Sequence, residues 1–327
     1  MQSVLVTGAA GFIGFHVSQA LMNLGHQVIG IDNLNDYYDP ALKGHRLELL
    51  QRHKAFQFEK VDIASSEHLD HIFSRYQFDA VVHLAAQAGV RYSIDNPNVY
   101  VQSNLLGFAN VLECVRAKPV QHLVYASTSS IYGNNQKVPF AETDQTDHPV
   151  SFYAATKKAN EVMAYSYSNL YQIPTTALRF FTVYGPWGRP DMALFKFTQK
   201  ILAGEPIEVF NHGELYRDFT YIDDIVGGIV KTLASPPQHA IPYEIYNIGC
   251  GAPIKLEDFI LELEQALGQS AHKIYVPMQA GDVFKTYADI RKLKNDFAYQ
   301  AQVSVHEGVK KFVEWYKKYY KTEGAGE

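Results

Sequence analysis

The segment Thr7-Gly8-Ala9-Ala10-Gly11-Phe12-Ile13-Gly14 constrains the rest of the chain more than any other. It follows a short apolar run, Ser3–Val6, and leads into a stretch of helical period, Phe12–Leu24. A glycine-rich turn between a strand and a helix suits a bound pyrophosphate. Gly8 permits the tight turn, Gly11 lets backbone amides approach the phosphates, and Gly14 lets the helix pack closely on the sheet. The helix N-terminus, opened by Phe12 and Ile13, attracts the anion. The spacing is Gly-x-x-Gly-x-x-Gly, not the commoner Gly-x-Gly-x-x-Gly, so the strand and helix around it carry the reading. Asp32, followed by Asn33, ends the next apolar run. An acid about 20 residues beyond such a turn is placed to bond a ribose 2′-hydroxyl and to repel a 2′-phosphate, which favours NAD over NADP. The competing reading is a purely structural turn with an incidental Asp.

Apolar runs of strand length recur at Gln27–Ile31, Phe56–Val61, Ala80–Leu84, Leu123–Ala126 and Thr175–Leu178. Amphipathic stretches lie among them, at Glu67–Tyr76, Tyr100–Arg116 and Tyr153–Tyr171. This alternation predicts right-handed crossovers and a parallel sheet covered on both faces, an α/β fold with ligands beyond the carboxyl ends of the strands. After Phe180 the texture changes. Val183–Met192 reads as a loop, with a short strand expected around Glu208–Phe210, helices at Phe195–Ala203, Asp223–Leu233, Leu256–Leu267 and His306–Tyr319, and a further apolar segment at Ile274–Val276. Residues 1–180 are expected to form the cofactor domain, with 222–250 returning to it through a strand at Glu244–Ile248. Residues 181–327 are expected to form mainly a smaller α/β domain for the substrate.

Composition excludes several classes. The formal charge is −5 with no block of one sign, so neither a nucleic acid nor a membrane surface is an expected partner. The two cysteines, Cys114 and Cys250, form no metal-like spacing and no disulfide framework. The start of the chain lacks a basic region followed by an apolar stretch, and no run is long enough to span a bilayer. A cytoplasmic enzyme is the expectation. The 22 tyrosines exceed an average share, and composition gives no reason for them.

Tyr153 and Lys157 lie four apart near the start of a helix, so they share a face. An ammonium beside a phenol favours the phenolate, which makes the tyrosine a usable base near neutral pH. Ser127-Thr128-Ser129-Ser130 follows the fifth apolar run, where hydroxyls reach the same region and can relay a proton; the alternative is a simple polar turn. Asp62, before Ile63, either accepts a bond from an adenine amino group or caps a helix, a task the serines after it can also perform. Leu84-Ala85-Ala86 either lets the backbone run close beneath a cofactor or serves packing.

Together these segments resemble the extended short-chain dehydrogenase/reductases over nearly the whole chain. The matching pieces are Thr-Gly-x-x-Gly-Phe-Ile-Gly, the Asp32-Asn33 pair, His83-Leu84-Ala85-Ala86, the Ser/Thr turn, Tyr-x-x-x-Lys and Arg217–Asp224. The resemblance implies a Rossmann-type doubly wound sheet holding NAD, a nucleoside-diphosphate sugar on the second domain, and a homodimer through the helices beginning near Tyr100 and Tyr153. It implies Thr128, Tyr153 and Lys157 as the catalytic trio, Arg217 on the sugar diphosphate, and Asp282, in Gly281-Asp282-Val283, near the substrate ribose. The bland reading of Arg217 is a surface ion pair with Asp218 or a neighbour.

Within this group, dehydratases carry Thr-Asp-Glu in the turn after Ser127 and glucuronate decarboxylases carry a glutamate there. Thr128-Ser129-Ser130 has no carboxylate, which argues for oxidation and re-reduction, meaning epimerisation. Gly30–Tyr38, Ala85–Tyr92 and Arg179–Phe195 look like UDP-glucuronate 4-epimerases. Thr182 stands where many members have Asn, and Arg91 and Arg189 can supply positive charge to a hexuronate carboxylate, with structural pairing as their alternative. Ser129 is expected to touch the sugar. The competing readings are an epimerase for neutral sugars, a dehydratase or decarboxylase, and a non-catalytic NAD-binding sensor.

Overall fold

The computed structural model describes residues 1–279 and 282–323, with side chains through Tyr320; Gly281 of the Gly-Asp-Val stretch lies outside the described residues. Its centre is a seven-stranded sheet. The first six strands are β1 (Ser3–Thr7), β2 (Gln27–Asp32), β3 (Phe56–Lys60), β4 (Ala80–His83), β5 (His122–Thr128) and β6 (Thr175–Phe180). The seventh, Tyr243–Ile248, sits beside β6, and the order from that edge is seventh, β6, β5, β4, β1, β2, β3, all parallel. The strand order reverses between β1 and β4, and the carboxyl ends there flank a crevice.

Burial on both faces explains the continuous apolar runs. In β1, Val4 and Val6 pack into the core on one face while Leu5 packs into the core on the other, each fully buried. The first core extends through α1 (Phe12–Asn23) to the helices Ile222–Leu233 and Leu256–Leu267 and the C-terminal helix Val305–Glu323. Caps set the helix starts. Pro40 opens α2 (Pro40–Gln51) behind Asp39, whose carboxylate accepts the Ala41 amide at 2.9 Å. Ser65 caps α3 (Ser66–Arg75), and Ser151 caps the helix Phe152–Tyr171.

Beyond β6 the chain forms three two-stranded ladders: Thr182–Tyr184 with Phe219–Tyr221, Tyr216–Arg217 with Ile254–Lys255, and Ile207–Phe210 with Lys273–Val276. The first strand of the first ladder, Thr182–Tyr184, runs into the stretch expected as loop. The continuous helix expected over Tyr100–Arg116 is instead Pro97–Tyr100, a wide π-turn over Val101–Leu106, and Gly107–Ala117. The widening serves Asn104. Its side chain exchanges bonds with the Gln87 backbone at 2.8 and 3.0 Å and reaches Thr156 Oγ1 at 3.0 Å, while its carbonyl accepts from Asn160 at 2.7 Å. The helix thereby fastens the segment after β4 to the helix that carries Tyr153.

Candidate active site

A cleft of about 660 Å³ opens at the carboxyl ends of the strands. Every residue singled out as a site residue from the sequence lines it. A side cavity of about 120 Å³ shares Val90, Ser129, Ser130, Thr182, Arg217 and Asp282 with it.

The glycine turn forms the floor. The Gly8 amide donates to Ile31 O at 2.8 Å and the Gly11 amide to Gly8 O at 2.9 Å. Gly8 has φ +71°, and a Cβ on it would stand 2.8 Å from the Ala85 nitrogen; one on Gly14 would stand 2.1 Å from Gly8 O. Both positions are closed to any side chain. Thr7 Oγ1 accepts the amides of Leu84 and Ala85 at 3.1 and 3.0 Å and bonds His83 Nδ1 at 2.9 Å, so the ends of β1 and β4 are locked together. The start of α1 has no side-chain cap.

Asp32 accepts the Ala10 amide at 3.2 Å on one oxygen and the Leu34 amide at 2.8 Å on the other. A lone pair remains on each oxygen for a ribose diol. Burial pushes its carboxyl above the ordinary range, against the pull of Lys43 and the two amides. Asp62 accepts from Asn33 Nδ2 at 3.1 Å and from the Ala64 amide at 2.9 Å, and Ser65, not Asp62, caps the following helix. The capping alternative for Asp62 is thereby set aside, and the serine alternative holds.

On the opposite wall, Tyr153 and Thr128 line the cleft together. Burial raises the Tyr153 pKa, while Thr128 and Arg189 pull it down. Burial thus works against the phenolate expected from Lys157. Lys157 Nζ donates to Ala126 O at 2.9 Å, and burial lowers its own pKa to about 8 against the pull of Glu161. Thr128 Oγ1 accepts the Ser130 amide at 3.2 Å, which shapes the hydroxyl turn. The carboxylate beneath this turn, Glu161, is committed: it accepts from Ser127 Oγ at 2.7 Å and is doubly bonded to Arg179 at 2.9 Å, both side chains being buried.

The arginines have partners that local spacing did not identify. Arg189 holds Asp191, with Nε at 3.0 Å and an Nη at 2.5 Å, and Tyr37 donates to the same carboxylate at 3.2 Å. Arg217 pairs with Asp282 at 2.5 Å and not with Asp218. Asp218 is wholly buried on the amides of Cys250, Gly251 and Ala288. Arg91 lies over the Phe210 ring, 5.1 Å from its centroid. Sequence reading also missed Lys43, Tyr37, Tyr38 and Asp191, which line the cleft. The Asp39-Pro40 helix start was the signal for the first of these.

The family model described as "NAD dependent epimerase/dehydratase family" matches residues 4–249. The chain is 47% identical to a probable UDP-glucuronate 4-epimerase of Rhizobium meliloti, covering 97% of each protein. It is 48% identical to UDP-glucuronate 4-epimerase 1 of Arabidopsis thaliana, over 97% of this chain and 77% of that one. Among solved structures, the UDP-glucuronic acid 4-epimerase from Bacillus cereus in complex with UDP-glucuronic acid and NAD is 35% identical. Its TM-score is 0.90, covering 97% of this chain and 100% of that one. A UDP-glucose 4-epimerase from Thermotoga maritima with UDP-glucose is 33% identical at TM-score 0.88, covering 97% and 99%.

Proposed function

The chain belongs to the NAD-dependent epimerase/dehydratase family, and from that premise we propose that it interconverts UDP-glucuronate and UDP-galacturonate by inverting carbon 4 of the sugar. The observation that carries the proposal is the hydroxyl turn Thr128–Ser130, free of carboxylate, sharing one cleft with Tyr153, Thr182 and Arg189. Elimination of water needs a free acid and base beside the sugar, and the carboxylate under this turn is bound to Arg179.

The cleft fits NAD on its own geometry. The Gly8–Gly14 cradle admits no Cβ, the α1 start carries no cap, and Asp32 keeps acceptor capacity. Gly8, Gly11, Phe12, Ile13 and Gly14 hold the pyrophosphate. Asp32 and Asn33 hold the ribose, Asp62 and Ile63 the adenine, and Leu84, Ala85 and Ala86 the middle of the dinucleotide, with Tyr153 and Lys157 at the nicotinamide end. Bound there, NAD would supply a reversible hydride acceptor, the chemistry that oxidation of carbon 4 to a ketone and re-reduction on its other face require. Tyr153 takes the proton of the 4-hydroxyl, directly or through Thr128, and Lys157 supports the charge that develops. Arg217 and Asp282 receive the diphosphate and ribose, and Ser129 and Arg91 line the sugar's path. A 4-keto glucuronate is a β-keto acid, which loses carbon dioxide when the carboxylate bond stands perpendicular to the ketone. Thr182 and Arg189 hold that carboxylate away from the perpendicular.

The proposal includes a homodimer and a cytoplasmic location. No described helix is long and apolar enough to cross a membrane. Val162 and Leu170 on the helix Phe152–Tyr171 are 59% and 64% exposed, Tyr165 and Tyr171 are exposed on the same helix, and Val101 and Leu106 are exposed on the π-turn. A second copy covers this apolar surface. Sedimentation as a monomer at micromolar concentration overturns the dimer.

The functional test is chromatography of the enzyme incubated separately with UDP-glucuronate and UDP-glucose, with NAD sought in the supernatant after denaturation. Interconversion of the two hexuronates with no UDP-pentose and with bound NAD is the expected result. Conversion of UDP-glucose alone moves the substrate to neutral sugars, and release of carbon dioxide moves the enzyme to the decarboxylases.

A further inference from the structure

Arg46, on α2, has no exposed surface, although arginine is rarely buried outright. Its hydrogen bonds run to three carbonyls and a phenol. One Nη donates to Ala10 O at 2.9 Å and to the Tyr38 hydroxyl at 2.8 Å; the other donates to Trp187 O at 2.6 Å and Gly188 O at 3.2 Å. His16, on α1, adds a bond from Nε2 to Pro186 O at 3.0 Å. Three successive carbonyls, 186 to 188, are thus held by side chains from the first two helices, and the next residue is Arg189.

The other end of this connection lies in the cofactor turn. Ala10 is held through both of its backbone groups, its carbonyl by Arg46 and its amide by Asp32. The bonds therefore run without a break from Asp32 through Ala10 and Arg46 to the Trp187-Gly188 backbone and Arg189. Two adjacent tyrosines close the circuit, because Tyr38 accepts from Arg46 while Tyr37 donates to Asp191, the partner of Arg189. A planar fork with fixed donor directions suits this task, and a lysine cannot meet carbonyls on two segments in the same geometry.

We propose that Arg46 is a positioning residue that couples the cofactor turn to the Arg189 segment, setting where Arg189 stands and transmitting occupancy of the turn to it. The substrate side of this inference rests on the function proposed above; the coupling itself does not.

The test uses the full chain with Arg46→Gln, Arg46→Lys and His16→Ala, and two readouts. The first is hydrogen exchange of protein stripped of its bound NAD, before and after NAD is restored. In the unmodified protein NAD slows exchange at residues 8–14 and also at 185–191. In Arg46→Gln the protection persists at 8–14 and is lost at 185–191, and His16→Ala gives a smaller loss confined to the start of that segment. Equal protection of 185–191 in Arg46→Gln overturns the coupling, whatever the substrate. The second readout is kcat and KM with two substrates. Arg46→Gln lowers kcat/KM for UDP-glucuronate by about tenfold or more and for UDP-glucose by no more than about threefold, with UDP-pentose appearing as a side product; Arg189→Ala added to it costs little more, because the two act on one contact. Equal losses on both substrates mark a merely structural residue and overturn the proposal. Should Arg46→Gln fail to fold, Arg46→Lys keeps the charge and part of the bonding, and the same ratio and protection pattern decide. An unmodified enzyme that ignores UDP-glucuronate while the exchange pattern holds refutes the functional reading and leaves the coupling standing.

Discussion

Tyr153 stands between opposing influences: burial favours the neutral phenol, and Thr128 and Arg189 favour the phenolate. Burial in the free protein opposes the base, and the loaded site has to favour it. Replacing Tyr153 by Phe removes the hydroxyl assigned to the proton transfer while keeping the ring that packs edge-on to Tyr100, 6.1 Å away. Turnover of the nucleotide sugar should fall on the order of a hundredfold or more, with NAD content unchanged. Activity near that of the unmodified enzyme would remove Tyr153 from its role. The Tyr-x-x-x-Lys pair and the glycine turn were legible in the sequence because their geometry is local: four residues along a helix, or seven across a turn. The partners of Arg189 and Arg217 were not. Asp191 is near in sequence, but which way it faces depends on the conformation of the loop, and Asp282 is brought to Arg217 only by the fold of the C-terminal half.

Helices and strands meet the site through buried polar joints. The joint between the Tyr153 helix and β6 is Glu161 with Arg179, both 3% exposed at the side chain. Removing one member strands the other's charge. Arg179→Met should therefore cost about 3–5 kcal/mol, whereas Glu161→Met with Arg179→Met should recover much of that loss. Urea unfolding of the two variants checks this, and equal losses would show that packing, not charge, dominates the joint. Strand positions were readable because both faces of the sheet are covered and the runs are unbroken. The π-turn at Val101–Leu106 was not, because periodicity registers the apolar face and not the demands of Asn104. Part of the tyrosine excess also resolves at this level. Tyr37, Tyr92, Tyr100 and Tyr153 come from separate segments and stand ring to ring at 4.7, 6.2 and 6.1 Å, with Tyr100 buried behind the three that line the cleft.

Across the whole molecule, acid should loosen the fold through buried histidines. His83 and His122 are 2% and 1% exposed, and burial lowers their pKa values from 6.5 to about 3 and about 4, with Lys157 adding to the effect at His83. The unfolded chain binds these protons first. Their contribution to stability is complete above about pH 6.5 and is lost as the pH falls through that value towards the folded pKa values, by about 1.4 kcal/mol per pH unit for each histidine. Unfolding midpoints at pH 7.5, 6 and 5 should fall accordingly, and His122→Asn should flatten the slope; an unchanged slope would assign the acid sensitivity to carboxylates. The α/β alternation gave away the large sheet, and the return of Tyr243–Ile248 to it was expected from a single apolar run. Of the small ladders beyond β6, the one pairing Ile207–Phe210 with Lys273–Val276 was foreshadowed by the short runs Glu208–Phe210 and Ile274–Val276. The other two, with strands of two or three residues, carry too few side chains for a period to show. The sequence holds only two tryptophans, and they lie together: Trp187, in left-handed backbone between Pro186 and Gly188, meets Trp315 of the C-terminal helix with ring centroids 5.3 Å apart. Ultraviolet light absorbed by indole is therefore emitted from one place, the junction where the Arg189 segment rests on that helix. A ligand that shifts this segment alters the colour and intensity of the emission without any attached dye, and the edge of the sheet at β3 can fray unseen.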